Sequence, residues 1–274
     1  MTLIQFIRQA FDDVINKGWT PEKIAILAND FHNLAFRIAF SKTPEQIIAP
    51  YLRHLYRREI ESGKVLQRNK GLGHFTYERI KPEFRRLLED RIKANIDLIT
   101  MERPNAVDVA TTRFSGWLMS FDGTQEKLPP AKELPAFKNI LKPITEQKNY
   151  EHSRRAIDQG HKMLRAIDSV IAEQGGAVAG VWHAHPKTSI YDARKEHWAR
   201  DGKVYIYKNS DLVKQGLVKK GNEPWVEDIT DPPAFLINCT CYFSNIYSLS
   251  QLAKIAPDRI TQKGKDKLNE LKNS

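Results

Sequence analysis

The 274-residue chain is 41% hydrophobic and 28% charged, the balance of a folded soluble protein and not of a disordered one, and it is long enough to bury a core as one domain or two. No apolar run reaches the length of a bilayer-crossing helix, and Met1 to Arg8 lack the charged-then-apolar order of a secretion signal. The net charge of +10 favours polyanionic partners, nucleic acid or an acidic protein surface.

The first third predicts helices. Leu3, Phe6, Ile7, Phe11, Val14 and Ile15 repeat at the spacing of one helix face, and Gly18 is placed to end it. Thr20-Pro21-Glu22 offers an N-cap, a first-turn proline and an acid, and Thr43-Pro44-Glu45 repeats the device. From Tyr51 to Lys93 basic residues outnumber acids, with Arg57, Arg58, Arg85 and Arg86 the candidates for weak nucleic-acid contact. The solvated face of a helical bundle is the plainer account of them. Gly71-Leu72-Gly73 reads as a turn. A long helix is expected from Tyr77 to Thr100, with Pro82 near its start and Pro104 after its end.

Asp122-Gly123 and the proline-bearing run Leu128 to Pro135 read as a connector. A further helix is expected from about Thr145 to Glu173, stopped by Gly175-Gly176. The composition then turns to short β-type runs: 177–182, 203–207 and 235–243, separated by loops rich in Gly, Asn, Asp and Pro. From Leu249 the chain reads as helical again, ending in a basic tail that frays or docks. The fold class expected is α+β, in three parts: a helical region 1–140, a small loop-rich module 141–247 with short antiparallel strands, and a basic C-terminal helix and tail 248–274.

Residues that bind metals crowd one stretch. Between Ala179 and Phe243 lie three of the eight histidines, three of the five tryptophans and both cysteines. A disulfide across C-x-C is disfavoured, since strand side chains two apart lie about 6–7 Å from each other. Reduced thiols, as in a cytosolic compartment, are expected instead. On an extended run Cys239 and Cys241 share one face, with Phe235, Ile237 and Phe243. That pair is half of a tetrahedral zinc site, and His183, His185 and His197 are the candidates for the rest, ahead of Asp192 and Asp201. The alternative is that both thiols are small apolar groups in a core.

Two resemblances bear on function. Gly180-Val181-Trp182-His183-Ala184-His185-Pro186 looks like the H-x-H-P signature of JAMM-type zinc isopeptidases, with Arg194 at the place of their serine and His197 at that of their aspartate. It implies a zinc-dependent hydrolase. The other covers about residues 145–245. Trp182, then Asp192-Ala193-Arg194-Lys195-Glu196-His197, Gly202, a proline pair and Asn238-Cys239-Thr240-Cys241 fall in the order seen in the phage head-morphogenesis family. Those are minor head proteins resembling the F protein of phage Mu. Thr240 stands where that pattern has arginine, and His-Ala-His-Pro lengthens its Trp-to-His spacing. This resemblance implies a non-enzymatic minor capsid protein that docks on the portal or major capsid protein and contacts double-stranded DNA without sequence preference. It also implies a place in the virion after assembly in the host cytoplasm, with no membrane partner. Trp182, Asp192, Arg194, Gly202 and Asn238 then serve as structural motif residues, and Arg194 and His197 in structure before catalysis.

Overall fold

Thr2 opens the first helix, α1 (Leu3–Lys17), with a reciprocal cap: its hydroxyl accepts from the Gln5 amide, and the Gln5 side chain accepts from the Thr2 amide. Thr20 caps α2 (Pro21–Ala39), and Thr43 with Gln46 forms a second reciprocal pair at the start of α3 (Pro44–Tyr56). A π-helical turn (Arg57–Glu61) and the short α4 (Lys64–Arg68) follow. Gly71, at φ +108°, makes the turn into α5 (His74–Met119). The computed structural model describes residues 1–121, 130–151, 156–184 and 194–273.

α5 does not stop at Pro104, as the sequence suggested. An interior proline costs about 3 kcal/mol, but beyond it Val107, Ala110, Phe114 and Leu118 are all fully buried. Each large side chain so buried is worth about 1.5–3 kcal/mol, which outweighs one missing turn bond. The same reasoning corrects the connector. α6 (Pro130–Asn149) begins inside it and carries Pro135 and Pro143, while Phe137, Ile140 and Ile144 are buried at helical spacing. Asp122, Gly123 and the start of that run lie outside the described residues. The helix expected over 145–173 is the end of α6 and a separate α7 (Ala156–Gln174).

The chain divides into two compact units, Met1–Pro50 with Ile92–Ala156, and Tyr51–Arg91 with Ile157–Ser274. The joints lie at 50/51, 91/92 and 156/157, the second of them inside α5. The first unit is helical. Ile7, Phe11 and Val14 of α1, Phe31 and Ala35 of α2, the buried row of α5 and that of α6 form one core. Phe31 stacks on Phe114 at 4.6 Å, and Phe11 on Trp117 at 5.1 Å. Arg103, almost wholly buried, forms a forked pair with Glu151 and donates to the Lys42 carbonyl.

The second unit holds a three-stranded antiparallel sheet in the order β2-β1-β3: β1 (Ala179–His183), β2 (Val204–Ile206) and β3 (Tyr242–Ile246). β1 lies between its partners, with Gly180 opposite both Tyr205 and Asn245. Two short helices, α8 (Lys195–Trp198) and α9 (Asp211–Lys214), sit in the loops between strands. Alternation gives the sheet two apolar faces. Ala179, Val204, Ile206 and Ile246 pack with α10 (Leu249–Ile255) and with Leu217, Val218 and Ile260. Trp182, Tyr205 and Phe243 pack with both cysteines.

The basic C-terminus docks. Helix α11 (Gln262–Asn273) is anchored where the Thr261 amide donates to Leu217 and the Lys219 amide to Arg259, and a Cβ on Gly264 would stand 2.3 Å from the Leu217 carbonyl. Among the described residues no helix is long and apolar enough to cross a membrane.

Candidate metal centre

The third expected strand, 235–243, is a strand only from Tyr242 onward. Before it the chain turns tightly. Ala234 and Asn238 both take positive φ, at 62° and 59°, a region that asparagine tolerates better than alanine. The reason lies in the partners: the Asn238 amide donates to Asp158 Oδ1 on α7 at 2.6 Å, and the Ala234 amide reaches Cys239 Sγ at 3.4 Å. Alternation therefore fails here. Phe235 and Ile237 are exposed, while Cys239 and Cys241 are fully buried. The two thiols do face one place, but through a turn and not along a strand.

That place is the ring of His197 on α8. Its Nδ1 lies 3.4 Å from Cys239 Sγ and 3.5 Å from Cys241 Sγ, and all three residues are wholly buried. Their ligand atoms lie within 4.8 Å of one another, a group that could hold a metal ion. On the other side of the ring Nε2 is 3.3 Å from Asp231 Oδ2. Asp231 Oδ1 accepts from Arg200 Nη1 at 2.7 Å, and the Arg200 guanidinium lies 5.0 Å over the Trp182 ring. Trp182, also fully buried, meets the His197 ring edge-on at 5.4 Å.

Electrostatics favour a thiolate at Cys239. A hydrogen bond from Cys241, helped by the Cys241 and Ala234 amides and by His197, outweighs burial and pushes the Cys239 thiol down to about 5. Burial pushes the Asp231 carboxyl up, but Arg200 first and His197 second hold it below the usual carboxylate range. Such a Cys–His–Asp line resembles a nucleophile relay in outline. Both sulfurs are sealed from solvent, however, so no substrate reaches them in this arrangement.

Of the sequence candidates, the structure brings together His197, Cys239 and Cys241. It does not bring His183, which points to the sheet face opposite Trp182 and stacks on Tyr242 at 4.8 Å. The expectation of His183 as a ligand beside the cysteines is therefore corrected. His185 and Asp192 lie outside the described residues. Asp201 instead accepts from the Ala184 amide at 2.8 Å.

The other motif residues converge on the trio. Arg194 donates to the Ile237 carbonyl at 3.1 Å, tying the start of α8 to the cysteine turn. Gly202, at φ +73°, donates to the Trp182 carbonyl at 2.8 Å. Asp231 and Arg200 were not singled out from sequence. Asp231 stands directly before Pro232-Pro233, where an acid reads as an ordinary turn residue.

The basic candidates are elsewhere in the second unit. Arg57, Arg58, Arg85 and Arg86 are all exposed. Arg58 pairs with Glu59, Arg85 reaches Glu61 at 4.0 Å, and Arg86 reaches Glu83 at 3.6 Å. Arg57 donates to the Arg53 carbonyl.

Comparison with protein-family models, with curated proteins and with solved structures gave no match to this chain.

Proposed function

We propose that this chain is a minor head protein of a tailed phage, acting in head morphogenesis by docking on the portal or the inner capsid. In this reading the loop-rich module is pinned by zinc held between His197, Cys239 and Cys241. The observation that carries it is that His197 and both cysteines, far apart in sequence, meet in one buried cluster edged by Trp182, with Arg194 bonded to the Ile237 carbonyl and Gly202 to the Trp182 carbonyl beside it. These are the residues on which the resemblance to the head-morphogenesis family rests.

Zinc is the ion the donor set favours, since two soft thiolates and one imidazole supply three of the four ligands of a tetrahedral site. One imidazole nitrogen has a single lone pair and cannot accept from two thiols at once. An ion between them removes that conflict. Ligands about 2.3 Å (S) and 2.0–2.1 Å (N) from a tetrahedral zinc stand about 3.6 Å apart, and the two sulfur-to-nitrogen distances here are 3.4 and 3.5 Å. When bound, the ion would supply a cross-link between α8 and the cysteine turn, and no bond-making chemistry is required of it.

Partners follow from the surface. The exposed arginines and the +10 charge suit non-specific contact with packaged DNA, which falls steeply with salt. The reading predicts a portal gene beside this one, and it is tested by co-expressing the two products and isolating assembled heads. Retention of wild-type protein in heads, abolished in Cys239→Ser, is expected; wild-type protein absent from heads and virions would overturn it.

A further inference from the structure

A zinc-binding imidazole can ligate through either nitrogen, and its geometry depends on what holds the other one. Here four groups close a ring: His197 Nε2 to Asp231 Oδ2, Asp231 Oδ1 to Arg200 Nη1, the Arg200 guanidinium over Trp182, and Trp182 edge-on to His197. Arg200 also reaches the main-chain carbonyl of Asp231 at 3.3 Å, so the aspartate is held at both side chain and backbone.

We infer that Asp231, clamped by Arg200, is a positioning residue that keeps the His197 ring proton on Nε2 and turns the Nδ1 lone pair onto the two thiols. A carboxylate only accepts hydrogen bonds, so the nitrogen facing it must carry hydrogen. The opposite nitrogen is then the lone-pair donor, and it is the one that stands between Cys239 and Cys241. Reversed, the ring would aim an N–H at the metal position and leave two acceptors facing each other across Nε2. Trp182 blocks the swing of the ring that would relieve this, because its indole fills the space beside the imidazole.

The charges agree with this assignment. A divalent ion and two thiolates cancel, and so do Asp231 and Arg200, so the buried centre needs no other counter-charge. Without Arg200 the carboxylate would add an uncompensated charge beside the cluster. The clamp thus makes the Asp231 carboxylate tolerable next to two sulfurs.

The inference rests on the metal reading of the trio, and its first test uses diamagnetic zinc, because without an ion a thiolate facing Nδ1 accepts hydrogen as the carboxylate does. In the zinc-loaded protein, long-range proton–nitrogen correlation spectra of the His197 ring should show hydrogen on Nε2 and none on Nδ1. Asp231→Ala should lose that preference, and Asp231→Asn, whose amide oxygen still accepts, should keep it. Cobalt(II) then serves as the metal probe. Asp231→Ala should bind it about ten- to a hundredfold more weakly, with altered visible absorption, and Asp231→Asn should recover most of the affinity. Wild-type protein with the proton on Nδ1, or Asp231→Ala with unchanged spectrum and affinity, overturns the inference. Wild-type protein that binds neither zinc nor cobalt sinks the metal reading, whereas zinc-loaded protein whose ring form and affinity ignore Asp231 sinks the positioning alone.

Discussion

Gly180 offers a test of how tightly the metal-side core is packed. It is the second residue of β1, the central strand, and a Cβ built there would stand 2.9 Å from both Cγ and Cδ1 of Phe243 and 3.3 Å from its Cβ. Carbon atoms prefer about 3.5–4.0 Å, so in Gly180→Ala the ring must move by roughly 0.6–1 Å. Its way is hindered by Trp182, edge-on at 5.4 Å, and by Tyr205 at 5.8 Å. Overpacking of this kind costs about 1–3 kcal/mol. Against it, replacing glycine by alanine at an ordinary strand conformation gains about 0.4–1 kcal/mol through the unfolded chain. The steric effect wins, and we expect a net loss of roughly 0.5–2 kcal/mol. Urea unfolding followed by tryptophan fluorescence measures it. Phe243→Leu, placed in the same chain, should make the Gly180→Ala cost smaller than it is alone, since the two sites touch. A Gly180→Ala protein as stable as wild type, or more so, would refute the packing described for this face.

Three other outcomes follow from the structure. The Cys239 thiol is depressed in the folded state by its Cys241 hydrogen bond and its other partners. The stability this gives to metal-free protein is therefore full above the ordinary thiol range and fades as pH falls toward about 5. Denaturation in chelator between pH 9 and pH 5 should show that slope, and Cys239→Ser should flatten it. In the first unit, Glu151→Ala strands a guanidinium whose side chain is only 5% exposed, at a cost of about 3–5 kcal/mol. Replacing both partners by apolar residues should cost less, and thermal melts of the three proteins decide the order. Changing Arg57, Arg58, Arg85 and Arg86 to Gln should lower the salt dependence of DNA retention by about 0.9 in log–log slope for each phosphate no longer neutralised. An unchanged slope places DNA elsewhere on the chain.

Local signals in the sequence were reliable where one residue settles the geometry. Thr20, Thr43 and Gly18 mark helix ends, and the structure keeps all three. Prolines misled, because Pro104 and Pro135 are carried inside helices by buried rows that lie further along the chain. Pattern reading weighs neighbours within a turn or two, whereas the burial that overrides a proline comes from other helices. The cysteine pair shows the same limit at the site. Its shared direction was legible, but the strand assumed for it was not there, since left-handed residues at 234 and 238 are fixed by contacts to α7 and to sulfur. His197 was among the candidates, and only coordinates separate it from His183, which alternation sends to the other sheet face. Asp231 was hidden because nothing local tells a turn acid from one that holds an imidazole 34 residues away.

Metal content of the purified protein bears most directly on the trio as the pin of this module. After reconstitution and removal of excess zinc, native mass spectrometry should show one ion per chain, absent in Cys239→Ser and in His197→Ala. A strong chelator should remove that ion and lower the melting temperature of wild-type protein alone. Wild-type protein that retains no ion and melts at the same temperature with or without chelator would contradict the account, leaving the two thiols and the imidazole as packing groups only.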